Sequence, residues 1–219
     1  MKLRVPGLRQ PANAVRIPLF PLRTVLFPGG LLPLKVFEQR YIAMTKACLA
    51  GDRPFGVCLI TRGEEVARPG AAAAPAFAAI GTLARITAWD MPQLGILHVA
   101  AEGTTRFQVA RHEVEPSGQV VADVTPLPAE PKVALEPAQA PLARLLELVA
   151  SRVGAHRFPA RQDYADASWV GYRLAELLPL PLPIKQSMLE VNDAGVRLAV
   201  LAKFLVDQGL LERDGPGPS

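Results

Sequence analysis

The apolar positions of this chain follow two different periods. Ile80–Trp89, IGTLARITAW, alternates, with Ile80, Thr82, Ala84, Ile86 and Ala88 on one face, which predicts a half-buried strand. Phe55–Thr61, FGVCLIT, is a short β-rich apolar run and reads as another strand. A turn containing Asp90, Met91, Pro92 and Gly95 marks a hairpin tip, and Leu94–Ala101, Thr104–Glu115 and Gln119–Thr125 continue as a meander. One helix interrupts these strands. Glu38–Leu49 places Tyr41, Thr45, Cys48 and Leu49 near one face, and Gly51 stands where it would stop the helix.

From residue 142 the period changes. Leu142, Leu145, Leu146, Val149 and Val153 recur at helical spacing, as do Val170, Leu174, Leu177 and Leu178. The run Pro179–Pro183 breaks the chain, and a short helix over Ile184–Val191 follows. Asn192 or Asp193 caps a last helix whose Leu198, Leu201 and Leu205 share a face, with Gly209 as its stop. Strands first and helices after predict an α+β fold with two subdomains. Proline supplies the boundaries, 22 residues in all. They divide the chain into a flexible basic arm (1–14), a β-rich unit (15–124), a Pro-rich linker (125–141), a helical unit (142–210) and a disordered tail (211–219). Arg68–Ala76, RPGAAAAPA, reads as part of a long surface loop.

Composition narrows the class. Of 219 residues 50% are hydrophobic and 20% charged, which rules out disorder of the whole chain. A chain of this length buries roughly 70% of the surface its unfolded form exposes, so a core without staples is expected. Two cysteines cannot make a disulfide framework. The longest uncharged stretch, Pro69–Ala84, is Ala-rich, broken by Pro75 and shorter than the ~20 apolar residues a membrane helix needs. Arginines occupy the place where a signal peptide would carry its apolar stretch, so no membrane partner and a cytoplasmic location are expected. The net charge of +4 is uneven: Lys2, Arg4, Arg9, Arg16, Arg23 and Lys35 all precede the first acidic residue, Glu38. Such an arm suits nucleic acid or an acidic partner, but the charges are too spread to form a run, and a solvated arm is the simpler reading.

The chemistry-bearing residues do not converge. No GxSxG, HExxH, GxGxxG or GxxxxGK[ST] occurs, and His98, His112 and His156 are isolated from one another. Neither a catalytic set, a metal site nor a cofactor is expected. Cys48 and Cys58 lack CxxC spacing and read as small buried hydrophobes. Lys185 and Ser187 are two apart, and on a helix such positions face different ways. Trp89 and Met91 flank the predicted hairpin tip, where two readings stand: an exposed contact patch, or a tip folded over the barrel end that buries Trp89.

Ile17–Tyr41, IPLFPLRTVLFPGGLLPLKVFEQRY, carries a more specific pattern. Its PL at Pro21–Leu22, FPG at Phe27–Gly29, PL at Pro33–Leu34 and FExRY at Phe37–Tyr41 resemble the opening of the amino-terminal, substrate-binding domain of Lon proteases. Ile80–Ile86 (with Gly81) and Glu102–Val109, through Gly103, Arg106 and Phe107, follow in the family's order, and Leu178–Leu201 looks like its helical part. The resemblance spans roughly Val15–Gly209 and implies a PUA-like open β-barrel with one helix, followed by a helical bundle. In Lon this domain selects and holds protein substrates, while the ATPase and peptidase lie further along. A chain ending at Ser219 leaves no room for either, so a non-catalytic protein-binding module is expected.

Structural roles are expected for most matched residues. Pro28–Gly29–Gly30 makes a turn that needs glycine. Glu38 sits in the first helical turn, where its charge favours the orphan amides. Arg40 pairs with a carboxylate or lies along the barrel, Gly103 permits a bend or bulge, and Arg106 bridges to Glu102 or the barrel rim. Contacts to an unfolded or specific polypeptide are assigned to Pro33, Phe37, Tyr41, Trp89 and Met91, on an apolar groove between barrel and bundle or on exposed barrel loops. The alternative is an RNA-binding protein that uses the PUA-like barrel and the basic arm.

Overall fold

A computed structural model describes residues 13–65, 75–153 and 158–211. The arm over 1–12, the greater part of the Arg68–Ala76 loop, His156 and the tail from residue 212 lie outside the described residues. The described elements run β1 (Val15–Leu22), β2 (Leu31–Val36), α1 (Gln39–Gly51), β3 (Phe55–Arg62), β4 (Ala76–Phe77), β5 (Ile80–Gln93), β6 (Ile96–Val114), β7 (Val120–Pro126), α2 (Ala140–Val153), α3 (Ala167–Leu177), α4 (Leu182–Glu190) and α5 (Ala194–Asp207). The fold is α+β, with strands first and helices after.

One mostly antiparallel sheet, in the order β1-β7-β6-β5-β3-β4, curls until β1 pairs with β3 in parallel through Leu19–Leu22 and Gly56–Leu59. Leu19, Phe107, Val120, Ala122 and Val124 fill the barrel interior. The long strand β6 replaces the two predicted strands Leu94–Ala101 and Thr104–Glu115. It stays continuous because register shifts opposite Thr82/Ala84 and between Val109 and Arg111 let it bend around the barrel. Further shifts between Ile86 and Ala88 and between Asp90 and Gln93 break the alternation expected of β5. The hairpin turn therefore falls at Leu94–Gly95, where Gly95 has φ 83°, and Trp89 and Met91 lie within the strand rather than beside the tip.

α1 closes the lower end of the sheet with Tyr41, Ile42, Met44 and Cys48 in the core. Leu49 stays exposed, contrary to its predicted place on the apolar face. The helix runs through Gly51. It is stopped by Asp52 in the left-handed region (φ 45°), whose N–H meets the Leu49 carbonyl, a role expected of glycine.

The Phe27–Gly30 turn is as expected: Gly29 has φ 71° and donates to the Gly103 carbonyl at 2.7 Å, and Gly103 donates back to Gly30 at 2.8 Å. At Gly103 the requirement is also one of space, since a Cβ there would sit 2.3 Å from the Phe27 oxygen. A Cβ at Gly81 would meet the Val57 oxygen at the same distance, and Pro21 is buried in β1.

The helices pack around Leu146, Val170, Leu174, Leu198, Leu201 and Leu205, and this core continues into the barrel through Val25, Phe27 and Leu59. Asp193 caps α5 by accepting from Val196 N–H, and Asp166 caps α3 through Ser168 N–H. The segment 125–141 is bonded to both units. Leu127 N–H donates to the Arg106 carbonyl, Ala134 bridges Asp166, Pro137–Gln139 form a 3₁₀ turn, and the Glu130 carboxylate is buried against Arg197 at 3.0 Å.

Candidate functional site

β2 pairs with β6 alone, and the outer halves of β6 and β5 continue beside it, so the three strands form a ribbon at one end of the barrel. Alternation fixes its faces. Leu32, Leu34, Val36, Leu97, Val99 and Ala101 turn toward α1 and the core. On the opposite face the register lines up Pro33, Ala100 and Ala88 in one row and Lys35, His98 and Asp90 in the next, all exposed. The small side chains of the first row leave a shallow groove of about 550 Å³. Trp89 is among its lining residues, although in register it stands opposite the core-side Val99. Across β2 lies a second hollow of about 220 Å³. It shares Pro33, Leu34 and Lys35 with the first and is walled by Phe20, Phe37 and Tyr41.

Four of the five contacts assigned from sequence line these two hollows. Pro33 lines both, Phe37 is 51% exposed beside one, and Trp89 is 54% exposed beside the other. Trp89 is thus an exposed group and not one buried over the barrel end. Met91, 37% exposed, stands two residues further along β5 and lines neither hollow. Tyr41 is only 3% exposed: its ring stacks on Phe20 at 3.9 Å, so it supports the floor and does not present a contact surface. Burial also pushes its phenol up to about 12, which keeps it neutral. Lys35, His98 and Asp90 were not among the expected contacts. The alternation of Pro33 and Lys35 against Leu32, Leu34 and Val36 is the sequence signal that marks them as the outer face.

The other matched residues hold the scaffold. Glu38 is the N-cap residue of α1, but its carboxylate accepts from Arg40 Nε at 3.1 Å and not from helix amides, which corrects its expected role. Arg40 finds the expected carboxylate and also donates to the Gly118 carbonyl at 2.9 Å. Arg106 does not bridge to Glu102. It is buried, and it donates to the Leu189 carbonyl at 2.9 Å, to the Val191 carbonyl at 3.3 Å and to the Asn192 side chain. Glu102 lies 3.8 Å from Arg85 instead.

The junction of barrel and helices holds a cleft of about 290 Å³, in which Leu127, Pro128, Trp169 and Tyr172 lie beside Arg106 and Glu130, both engaged in structural bonds. None of the five assigned contacts lines it. Lys185 donates to the Glu176 carbonyl and Ser187 to the Pro183 carbonyl, so they form no pair. Both cysteines are buried, and burial pushes the Cys58 thiol up to about 12, as suits a core residue. His98 and His112 lie apart, and among the described residues no group of three His, Cys, Asp or Glu is placed to hold a metal. No helix among them is long and apolar enough to cross a membrane.

The family profile of the ATP-dependent protease La (LON) substrate-binding domain matches residues 16–207. The chain belongs to that family. A Lon N-terminal domain protein from Xanthomonas campestris has the same fold at 35% identity and a TM-score of 0.69, covering 87% of this chain and 98% of that one. The N-terminal domain of a Mycobacterium avium complex Lon protease, at 19% identity and a TM-score of 0.58, covers 88% of this chain and supports the fold alone. Lon protease 2 of Myxococcus xanthus is 37% identical over 106 residues, which are 48% of this chain and 12% of that protease. The Lon protease of Anaeromyxobacter dehalogenans is 36% identical over 94 residues, 42% of this chain and 11% of that protease. The match is to the non-catalytic, substrate-binding part of Lon.

Proposed function

We propose that this chain is a polypeptide-binding module that takes extended, apolar segments of protein substrates across the outer face of the β2–β6–β5 ribbon, without chemistry of its own. The observation that carries this reading is the pair of adjoining hollows that meet at Pro33, with half-exposed Phe37 lining one and half-exposed Trp89 at the edge of the other. Large apolar groups left half-exposed beside such hollows mark a contact surface. The ribbon edges argue for capture by side chains rather than by strand addition. Pro33 interrupts the donors of β2, while the register shifts and Pro92 distort β5, and these are devices that discourage edge pairing. Membership of a substrate-binding family supports the same class of partner.

The test is fluorescence anisotropy with a labelled unfolded polypeptide and a labelled structured RNA, each at low and high salt. Saturable polypeptide binding that survives salt is expected, and the double variant Trp89→Ala, Met91→Ala should weaken it about tenfold or more, the loss typical of buried aromatic anchors. Unchanged binding by that variant refutes the site. RNA binding that collapses with salt, with none to polypeptide, moves the protein to the nucleic-acid class.

A further inference from the structure

A third hollow shares no residue with the two on the ribbon. It is enclosed between the start of β1, the last turns of α1 and strands β5 and β7, and it measures about 250 Å³. Its walls are apolar, formed chiefly by Ile17, Pro18, Cys48, Leu83 and Val124. Two cations, Arg16 and Arg53, complete the lining. Arg16 is already engaged by Glu113 and lies 3.7 Å from Asp123. Arg53 is different. Its backbone is fixed, because the left-handed Asp52 turns the chain so that Arg53 N–H donates to the Cys48 carbonyl at 3.0 Å. Its guanidinium has no carboxylate partner among the described residues. Of the chain's acidic residues only Glu212 and Asp214 fall outside those residues.

An apolar cavity beside one uncommitted guanidinium selects its guest by charge as well as by shape. A neutral apolar guest leaves the cation without a complement, and a cationic guest is repelled. A carboxylate matches the planar fork of arginine and gains a charge-assisted bond there. We propose that this pocket binds a small amphipathic carboxylate: an apolar group the size of a leucine or phenylalanine side chain in the cavity, and its carboxylate on Arg53. Two sources present that chemistry, the C-terminal residue of a polypeptide and a free carboxylic acid. The assignment does not rest on the ribbon, so either can fail without the other.

The experiment uses the full chain and three probes: acetyl-Ala-Ala-Leu with a free carboxylate, the same peptide amidated, and 4-methylpentanoate. Binding is followed by calorimetry and by the methyl NMR signals of Ile17, Leu83 and Val124. At least one carboxylate probe should bind and shift those methyls. The amide should bind at least about tenfold more weakly than the acid peptide, as should the acid probes to Arg53→Gln, with partial recovery in Arg53→Lys. Binding of the acid peptide alone identifies a polypeptide terminus as the guest, whereas equal or exclusive binding of 4-methylpentanoate identifies a free acid. The proposal is overturned if acid and amide bind alike, if Arg53→Gln binds as the parent does, or if no probe moves the methyls. Arg53 is exposed, so its substitution leaves the fold available for each measurement.

Discussion

Arg106 carries a cation from β6 into the bend between α4 and α5, where the end of a helix leaves carbonyls without partners. Its three acceptors there belong to Leu189, Val191 and Asn192, so one side chain joins the barrel to the helices. Truncation would leave buried carbonyls unsatisfied as well as opening space. Arg106→Ala is therefore expected to destabilise the protein by about 3 kcal/mol, and Arg106→Lys by less, since an ammonium cannot span all three acceptors. The urea midpoint of each variant measures this, and a shift for Arg106→Ala no larger than that of a surface substitution would show the bond set to be dispensable. Arg197 is placed on the same logic. Its guanidinium meets Glu130, the Met188 and Val191 carbonyls and the face of Tyr172 at 3.9 Å.

At the scale of elements, local chemistry decides where helices begin and long-range pairing decides where strands bend. α5 follows a residue that accepts from its own helix: Asp193 takes the Val196 amide, and Leu198, Leu201 and Leu205 then fall on the buried side. Asp193→Ala removes that bond and should cost about 1 kcal/mol, while Asp193→Asn should cost only a few tenths, because asparagine caps nearly as well. Thermal unfolding of the two variants distinguishes a cap from a charge effect: equal losses in both would point to charge. Strand β6 is the opposite case. Nothing within Thr104–Arg111 dictates that its extra residues be absorbed as bulges. The register of β5 and β7 on its two sides imposes that outcome.

Over the whole molecule, two units of different period are joined by one of the three core clusters. Val25, Phe27 and Leu59 of the barrel pack with the helical leucines, and Arg173 donates across the junction to the Pro28 carbonyl at 2.9 Å. Gln186 of α4 does the same to the Ile80 carbonyl at 3.0 Å. Units joined in this way should unfold together. The two tryptophans allow a direct check, since Trp89 reports the ribbon and Trp169 the helices. Single-tryptophan variants Trp89→Phe and Trp169→Phe should give coincident urea transitions when corrected for their own stability. Separated transitions would mean that the helical unit is an independent domain.

The sequence by itself determined what depends on a few neighbouring residues. Alternation at Ile80–Ile86 and helical spacing from Leu142 onward separate the strand half from the helical half. Phe27–Gly30 announces its turn because only glycine adopts that φ cheaply, and Asp193 announces its helix because a carboxylate one position before it meets a free amide. Trp89 stands out as a large apolar group near a predicted turn, although its neighbours leave both exposure and burial open, and the spacing of Phe37 is that of a core residue. The tertiary structure alone decided what depends on distant partners. It turned Tyr41 inward onto Phe20 and gave Arg106 its acceptors 83 to 86 residues away in place of Glu102. It bound the Pro-rich segment through Glu130 and left Arg53 beside an apolar cavity with no carboxylate among the described residues. Periodicity and capping are written within a turn or two of chain, whereas burial, register and charge pairing are settled only when remote segments compete for the same space.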